Sequence, residues 1–222
     1  MKMHLVNLTT VLTLLLIGSA NADTIAVIGT GGVGSALGPK FAAAGHTVVY
    51  GSRSPDESEV QGLVSLTGHG ATATTQAAAA KNADIILLAV PWAPAKTIVD
   101  GLGPLDGKII IDPINAMAFG AEKSISLAAT PSAAELIQGW APKAHVVKAF
   151  NTLTRAYMVD PSAAGGPITI PLAGNDTDAK ARVAALVEAV GLVPLDVGSL
   201  SQARAVEAMG QLYVAQGYQG RT

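Results

Sequence analysis

The tightest constraint on the fold lies between residues 24 and 45. Thr24-Ile25-Ala26-Val27-Ile28 is a short apolar, β-branched run that reads as a buried strand. It ends at Gly29-Thr30-Gly31-Gly32-Val33-Gly34 and passes into the alanine- and leucine-rich stretch from Gly34 to Ala44, a helix that Gly45 stops. A G-x-G-x-x-G spacing is weak alone, but here it sits between a strand and a helix. Gly29 permits the tight turn, Gly31 has no Cβ to hold a pyrophosphate off the backbone, and Gly34 lets the helix pack close to the strand. The helix start adds free N–H groups and partial positive charge. The loop therefore predicts a dinucleotide site; the bland alternative is a glycine-rich turn with no ligand.

The remaining pattern repeats strand and helix. Strands are expected at Thr47–Tyr50, Asp84–Val90, Lys108–Asp112, His145–Phe150, Ile168–Ala173 and Leu192–Val197. Helices are expected at Val60–Leu66, Thr75–Lys81, Ala95–Leu102, Ser132–Gln138, Ala179–Val190 and from Ser201 to near Gln216. Strands that are apolar along their whole length need cover on both faces. The expected class is α/β, a doubly wound, mostly parallel Rossmann-type sheet in a single domain. Pro161 to Pro167 is the most loop-like stretch, read as an antiparallel turn or a flap.

The first 22 residues read as an address. Lys2 precedes the apolar run Val11–Ile17, and Ala20 and Ala22 give a small-x-small cleavage pattern. The expected division is a signal peptide at 1–22, cleaved, and a dinucleotide-binding Rossmann domain with a C-terminal α/β extension at 23–222. Periplasmic or secreted localisation follows, or cytoplasmic if the start codon is wrongly placed. A net charge of -2 argues against a nucleic-acid binder. With no cysteine, disulfides, thiolate metal sites and Cys nucleophiles are excluded. The four histidines show no metal-ligand spacing, so no metal site is expected.

The end of the second strand selects the nucleotide. A free ribose 2′-hydroxyl is usually held there by a carboxylate. This chain has Tyr50-Gly51-Ser52-Arg53, with no acid. A guanidinium suits a 2′-phosphate, and Ser52 adds a hydrogen bond, so the reading is NADP(H) over NAD(H). Asp56, Glu57 and Glu59 follow closely and would offset part of that positive potential. Val90 and Pro91, at another strand end, could form an apolar floor under adenosine or nicotinamide ribose; Trp92 beside them is a floor or ordinary packing. Asn115 and Asn151 end two further strands, as ligands of the carboxamide or ribose or as turn residues. Arg204 and Glu207, three apart on one helix, are expected to form a surface pair.

Together, Ile28–Gly34, Gly45-His46, Gly51-Ser52-Arg53, Val147–Thr152, Ala173–Asp176, Pro194–Gly198 and Ala203–Glu207 resemble the coenzyme F420-dependent NADP oxidoreductases over nearly all of residues 24 to 216. The NADP domain of the six-transmembrane metalloreductases is similar too. The resemblance implies hydride exchange between NADP(H) and a deazaflavin or flavin such as coenzyme F420, often in a homodimer. It implies NADP contacts from Thr30, Gly31, Gly32, Val33, Ser52, Arg53 and Val90, with Ala149 and Asn151 near the nicotinamide. Such a transfer needs no side-chain base, so no catalytic residue is expected. The alternatives are reduction of another small acceptor, a ferric chelate or an imine, and a non-catalytic NADP-binding domain.

Overall fold

Completely apolar strands find cover only between two helical layers, and the chain supplies both. A computed structural model describes residues 22–121 and 124–218. Apart from Ala22, the expected leader lies outside the described residues. The elements in chain order are β1 (Thr24–Ile28), α1 (Gly32–Ala43), β2 (Thr47–Ser52), α2 (Ser58–Thr67), β3 (Thr72–Thr75), α3 (Gln76–Lys81), β4 (Ile85–Leu88), α4 (Trp92–Gly101), β5 (Ile109–Asp112), β6 (Met117–Phe119), β7 (Ile125–Leu127), α5 (Ala133–Trp140), β8 (His145–Lys148), α6 (Arg155–Val159), β9 (Thr169–Gly174), α7 (Thr177–Ala189), β10 (Val193–Gly198) and α8 (Ala203–Tyr218).

The main sheet runs β10-β9-β8-β5-β4-β1-β2-β3. Every neighbouring pair is parallel except β8 and β9. The doubly wound Rossmann-type expectation holds. The chain winds outward from β1 through β2 to β3, then returns to β4 on the other side of β1. That reversal opens a crevice at the carboxyl ends of the strands. The stretch from Pro161 to Pro167 is a mostly exposed part of the connection between antiparallel β8 and β9 and opens with a short 3-10 helix, Pro161–Ala164.

Side chains alternate between two cores with the period of a strand. Ile25, Val27, Ile85, Leu87, Ile109, Ile111 and Val147 face one core, where Leu37 and Phe41 of α1 and Val183 and Leu186 of α7 close it. Ala26, Ile28, Ile86, Leu88, Ile110 and Val146 face the other, closed by α3, α4, α5 and the start of α8. Four of these elements were not anticipated. The edge strand β3 pairs only with β2, β6 and β7 make a separate antiparallel hairpin, and α6 has five residues.

Tyr50 is wholly buried under α1. The Thr67 hydroxyl donates to the Leu63 carbonyl (2.8 Å), so the Tyr50 hydroxyl donates to Thr67 (2.7 Å). Gly38 makes room, since a Cβ there would lie 2.2 Å from the phenolic oxygen. Burial raises the Tyr50 phenol above its ordinary value, against a smaller opposing effect of Thr67. The folded chain thus holds this proton more tightly than the unfolded chain. Its contribution is complete below about pH 10 and is lost as pH rises through the raised value. Tyr50→Phe should cost about 1 kcal/mol at neutral pH and remove part of the alkaline loss of stability, as read by denaturant titration at several pH values.

Candidate functional site

Between β1 and α1 the chain turns in three residues. Gly29 has φ +103, and a Cβ there would lie 2.3 Å from the Ala89 carbonyl oxygen. A Cβ on Gly34 would lie 2.0 Å from the Gly29 carbonyl oxygen. The fold itself therefore demands glycine at both positions. Gly31 is different. Its φ of -74 suits any residue, and nothing lies within 4 Å of its absent Cβ. No contact among the described residues accounts for a glycine there.

Gly31 is the N-cap of α1, with no side-chain cap and no acid in the first turn. The Ser35 N–H donates to the Gly31 carbonyl at 2.8 Å. The amides ahead of it belong to the group that an α-helix leaves without intrahelical partners. Free donors and the positive end of α1 thus lie beside the open space, an arrangement suited to an anion.

The neighbouring strand ends converge on this turn. The Gly29 N–H donates to the Gly51 carbonyl at 3.2 Å, tying the turn to β2. The Ser52 oxygen accepts from the Ser54 N–H at 3.2 Å, which leaves its own proton free to donate. Arg53 is exposed. Among the described residues no carboxylate pairs with it, so Asp56, Glu57 and Glu59 do not neutralise it by direct contact. Val90 is buried, and its Cγ1 lies 3.3 Å from where a Gly29 Cβ would stand. Pro91 is the exposed N-cap of α4. Trp92 stacks on Trp140 at 5.5 Å, which is packing of α4 against α5.

The end of β8 is the most elaborate part. Ala149 is buried. Phe150 follows with φ +65, a left-handed conformation that is strained for a bulky residue. The turn sends the Phe150 ring edge-on to Phe41 of α1, at 6.4 Å, while Asn151 serves the opposite face. The Asn151 Nδ2 donates to the Val206 carbonyl of α8 (3.0 Å) and to Asn115 Oδ1 (3.3 Å). Asn115 Nδ2 returns a bond to the Asn151 carbonyl (2.7 Å). Gly210 of α8 admits this pair, because a Cβ there would lie 2.4 Å from Asn115 Oδ1. Asn151 Oδ1 is buried with no partner among the described residues.

Beneath the asparagines lies a charged network. The Lys148 ammonium reaches Asp112 Oδ2 (3.0 Å), the Ile114 carbonyl (2.5 Å) and Glu207 Oε1 (3.1 Å). Asp112 Oδ1 accepts from the Ile114 N–H (2.8 Å). Glu207 accepts from the Ala133 and Ala134 amides (2.9 and 3.2 Å) at the start of α5. All three side chains are buried. Three protons meet three acceptors, and the helix start offsets the second carboxylate.

The expected surface pair of Arg204 and Glu207 does not form. Glu207 turns inward to Lys148, and Arg204 makes a two-pronged bond to Glu135 of α5 (2.9 and 2.7 Å). That bond is the main reason the Glu135 carboxyl is held below its ordinary range. The physical reason for the correction is that α8 crosses α5, so residues three apart meet different partners. Sequence reasoning missed Lys148, though it left a trace. A lysine inside Val146-Val147-Lys148-Ala149-Phe150 and an aspartate ending Ile109–Asp112 are charges in otherwise apolar strands, which must pair. Glu207 left no such trace.

The family model for coenzyme F420-dependent NADP oxidoreductases matches residues 24–116. The F420-dependent NADP reductase of Methanothermobacter thermautotrophicus is 30% identical, over 86% of this chain and 87% of that protein. Metalloreductase STEAP3 of Rattus norvegicus is 30% identical over 85% of this chain, but the chain spans only 36% of that protein. A solved structure from Arthrobacter sp. FB24, provisionally an F420-dependent NADP-reductase, is 31% identical with a TM-score of 0.79, covering 87% of this chain and 92% of that one.

Glu207→Ala should leave the α5 amides and one Lys148 proton without their buried acceptor, while Asp112 still pairs the ammonium. A buried donor left without its partner costs about 1–3 kcal/mol. Denaturant unfolding should show that loss, whereas Arg204→Ala, at the exposed pair, should cost at most about 1 kcal/mol.

Proposed function

We propose that this chain, which belongs to the coenzyme F420-dependent NADP oxidoreductase family, binds NADP(H) across the carboxyl edge of its sheet and exchanges hydride with a small deazaflavin- or flavin-type acceptor. The observation that carries the reading is the open space at Gly31 beside the uncapped start of α1. The residues present fit the nucleotide. Amides from Thr30 to Gly34 would hold the diphosphate, and Ser52 with Arg53 the 2′-phosphate. Val90 and Pro91 would supply an apolar floor. Ala149 would border the nicotinamide, and Asn151 Oδ1, an acceptor without a donor, suits a carboxamide N–H. Bound NADPH supplies the hydride. The chain orients the ring, excludes water with its apolar strand ends, and needs no side-chain base.

Similarity to part of a metalloreductase supports a second reading, in which the acceptor is a ferric chelate. Following NADPH absorbance with coenzyme F420, flavins and ferric chelates separates the two. Binding without turnover on any of them would leave a non-catalytic nucleotide domain.

Gly31→Ala tests the carrying observation directly. Its Cβ meets no neighbouring atom among the described residues, so thermal stability should hold while NADPH affinity falls by about tenfold or more. Equal affinity in the variant would remove the diphosphate from this turn. Arg53→Ala should weaken NADPH by about tenfold and NADH hardly at all; equal weakening of both would remove the 2′-phosphate assignment.

We also propose export by the N-terminal leader. Cleavage after Ala22 would leave Asp23 first, with its carboxylate paired to Arg182 and its N–H on His46 Nδ1. N-terminal sequencing of the exported protein should begin Asp23-Thr24-Ile25; a cytoplasmic protein beginning at Met1 would overturn this.

A further inference from the structure

Four arginines lie among the described residues. Arg182 pairs with Asp23, and Arg204 with Glu135. Arg53 and Arg155 pair with no carboxylate among the described residues. These two unneutralised guanidinium groups sit on either side of the glycine turn. Arg53 follows β2, whose Gly51 carbonyl accepts from the Gly29 N–H. Arg155 opens α6, which packs on the first turn of α1. The Arg155 Cδ lies 3.8 Å from where a Gly32 Cβ would stand, and its Nε donates a long bond, 3.4 Å, to Ser35 Oγ. The Ser35 hydroxyl itself points back to the Gly32 carbonyl at 3.4 Å.

This placement has a definite origin. The left-handed turn at Phe150 redirects the chain after β8. Thr154 then caps α6 by accepting from the Tyr157 N–H at 3.4 Å, which sets Arg155 at the first helical position. A Cβ at Gly32 would make ordinary van der Waals contact with the arginine stem. The exposed guanidinium therefore lies beside the amides at the start of α1, where no acid competes for it.

We propose that Arg155 is a second cationic contact for the nucleotide, directed at the diphosphate and not at the 2′-phosphate. The assignment rests on the nucleotide site argued above. It divides the work between two arginines. Arg53 discriminates between the phosphorylated and unphosphorylated nucleotides, whereas Arg155 strengthens both, because both carry the diphosphate. Arg155 is a binding and positioning residue with no part in hydride chemistry.

The test is equilibrium binding to the purified chain, with four probes: NADPH, NADH, ADP-ribose and 2′-AMP. Arg155→Ala should raise the Kd of the first three by a common factor of about ten and leave 2′-AMP unchanged, since that probe has no diphosphate. Arg155→Met keeps apolar packing on Gly32 and Ser35 while removing the charge. It should reproduce the loss, and it replaces the alanine variant if that one unfolds. Arg155→Lys should recover part of the affinity, having charge without the planar fork. Thermal melting of each variant separates loss of fold from loss of contact. Unchanged affinities in Arg155→Met would overturn the proposal, as would weakening confined to NADPH and 2′-AMP. If the unaltered chain binds none of the four probes, the nucleotide reading itself fails; binding that is indifferent to Arg155 sinks only this assignment.

Discussion

The closeness with which α1 starts against β1 governs the rest of the structure. A Cβ on Gly34 would reach within 2.0 Å of the Gly29 carbonyl oxygen, so helix and strand meet with no side chain between them. That contact brings the positive end of α1 to the edge of the sheet. The strands beneath are apolar on both faces. In the proposed site an anion would meet the amides at the start of α1, flanked by the two arginines that no carboxylate among the described residues neutralises. Among the described residues no helix is long and apolar enough to cross a membrane.

At the other end of the crevice, charge is buried instead of presented. Lys148, Asp112 and Glu207 would each be costly alone in the core, and together they satisfy one another and the start of α5. The network joins β5, α5, β8 and α8. Through it α8 is pinned where Val206 and Gly210 meet the Asn115–Asn151 pair. The consequence for function is mechanical. The asparagines beside the proposed nicotinamide position are held by a helix that the buried ions hold in turn.

Much of this was legible in the residues. The apolar strands, the alternating helices and the glycine turn are governed by local period and by glycine sterics, and they emerge close to where they are expected. Asp176 caps α7 by accepting from the Ala179 N–H at 2.7 Å. Other elements leave little local signal. β3, Thr72-Ala73-Thr74-Thr75, is too small and polar to read as a buried strand and exists because β2 offers an edge to pair with. The hairpin β6–β7 is two three-residue strands. Helix α6 is too short to be stable by itself and persists through its packing on α1.

What the sequence determined alone was the sheet, the turn at residues 29–34 and the absence of an acid after β2, since each follows from periodicity or from the residue at one position. Tertiary structure decided which charges are free and which are consumed. Nothing local distinguishes Arg155 from Arg204, or Glu207 from Glu135. Their roles follow from which helix crosses which, because a charged side chain is spent or available according to neighbours that only the folded chain supplies.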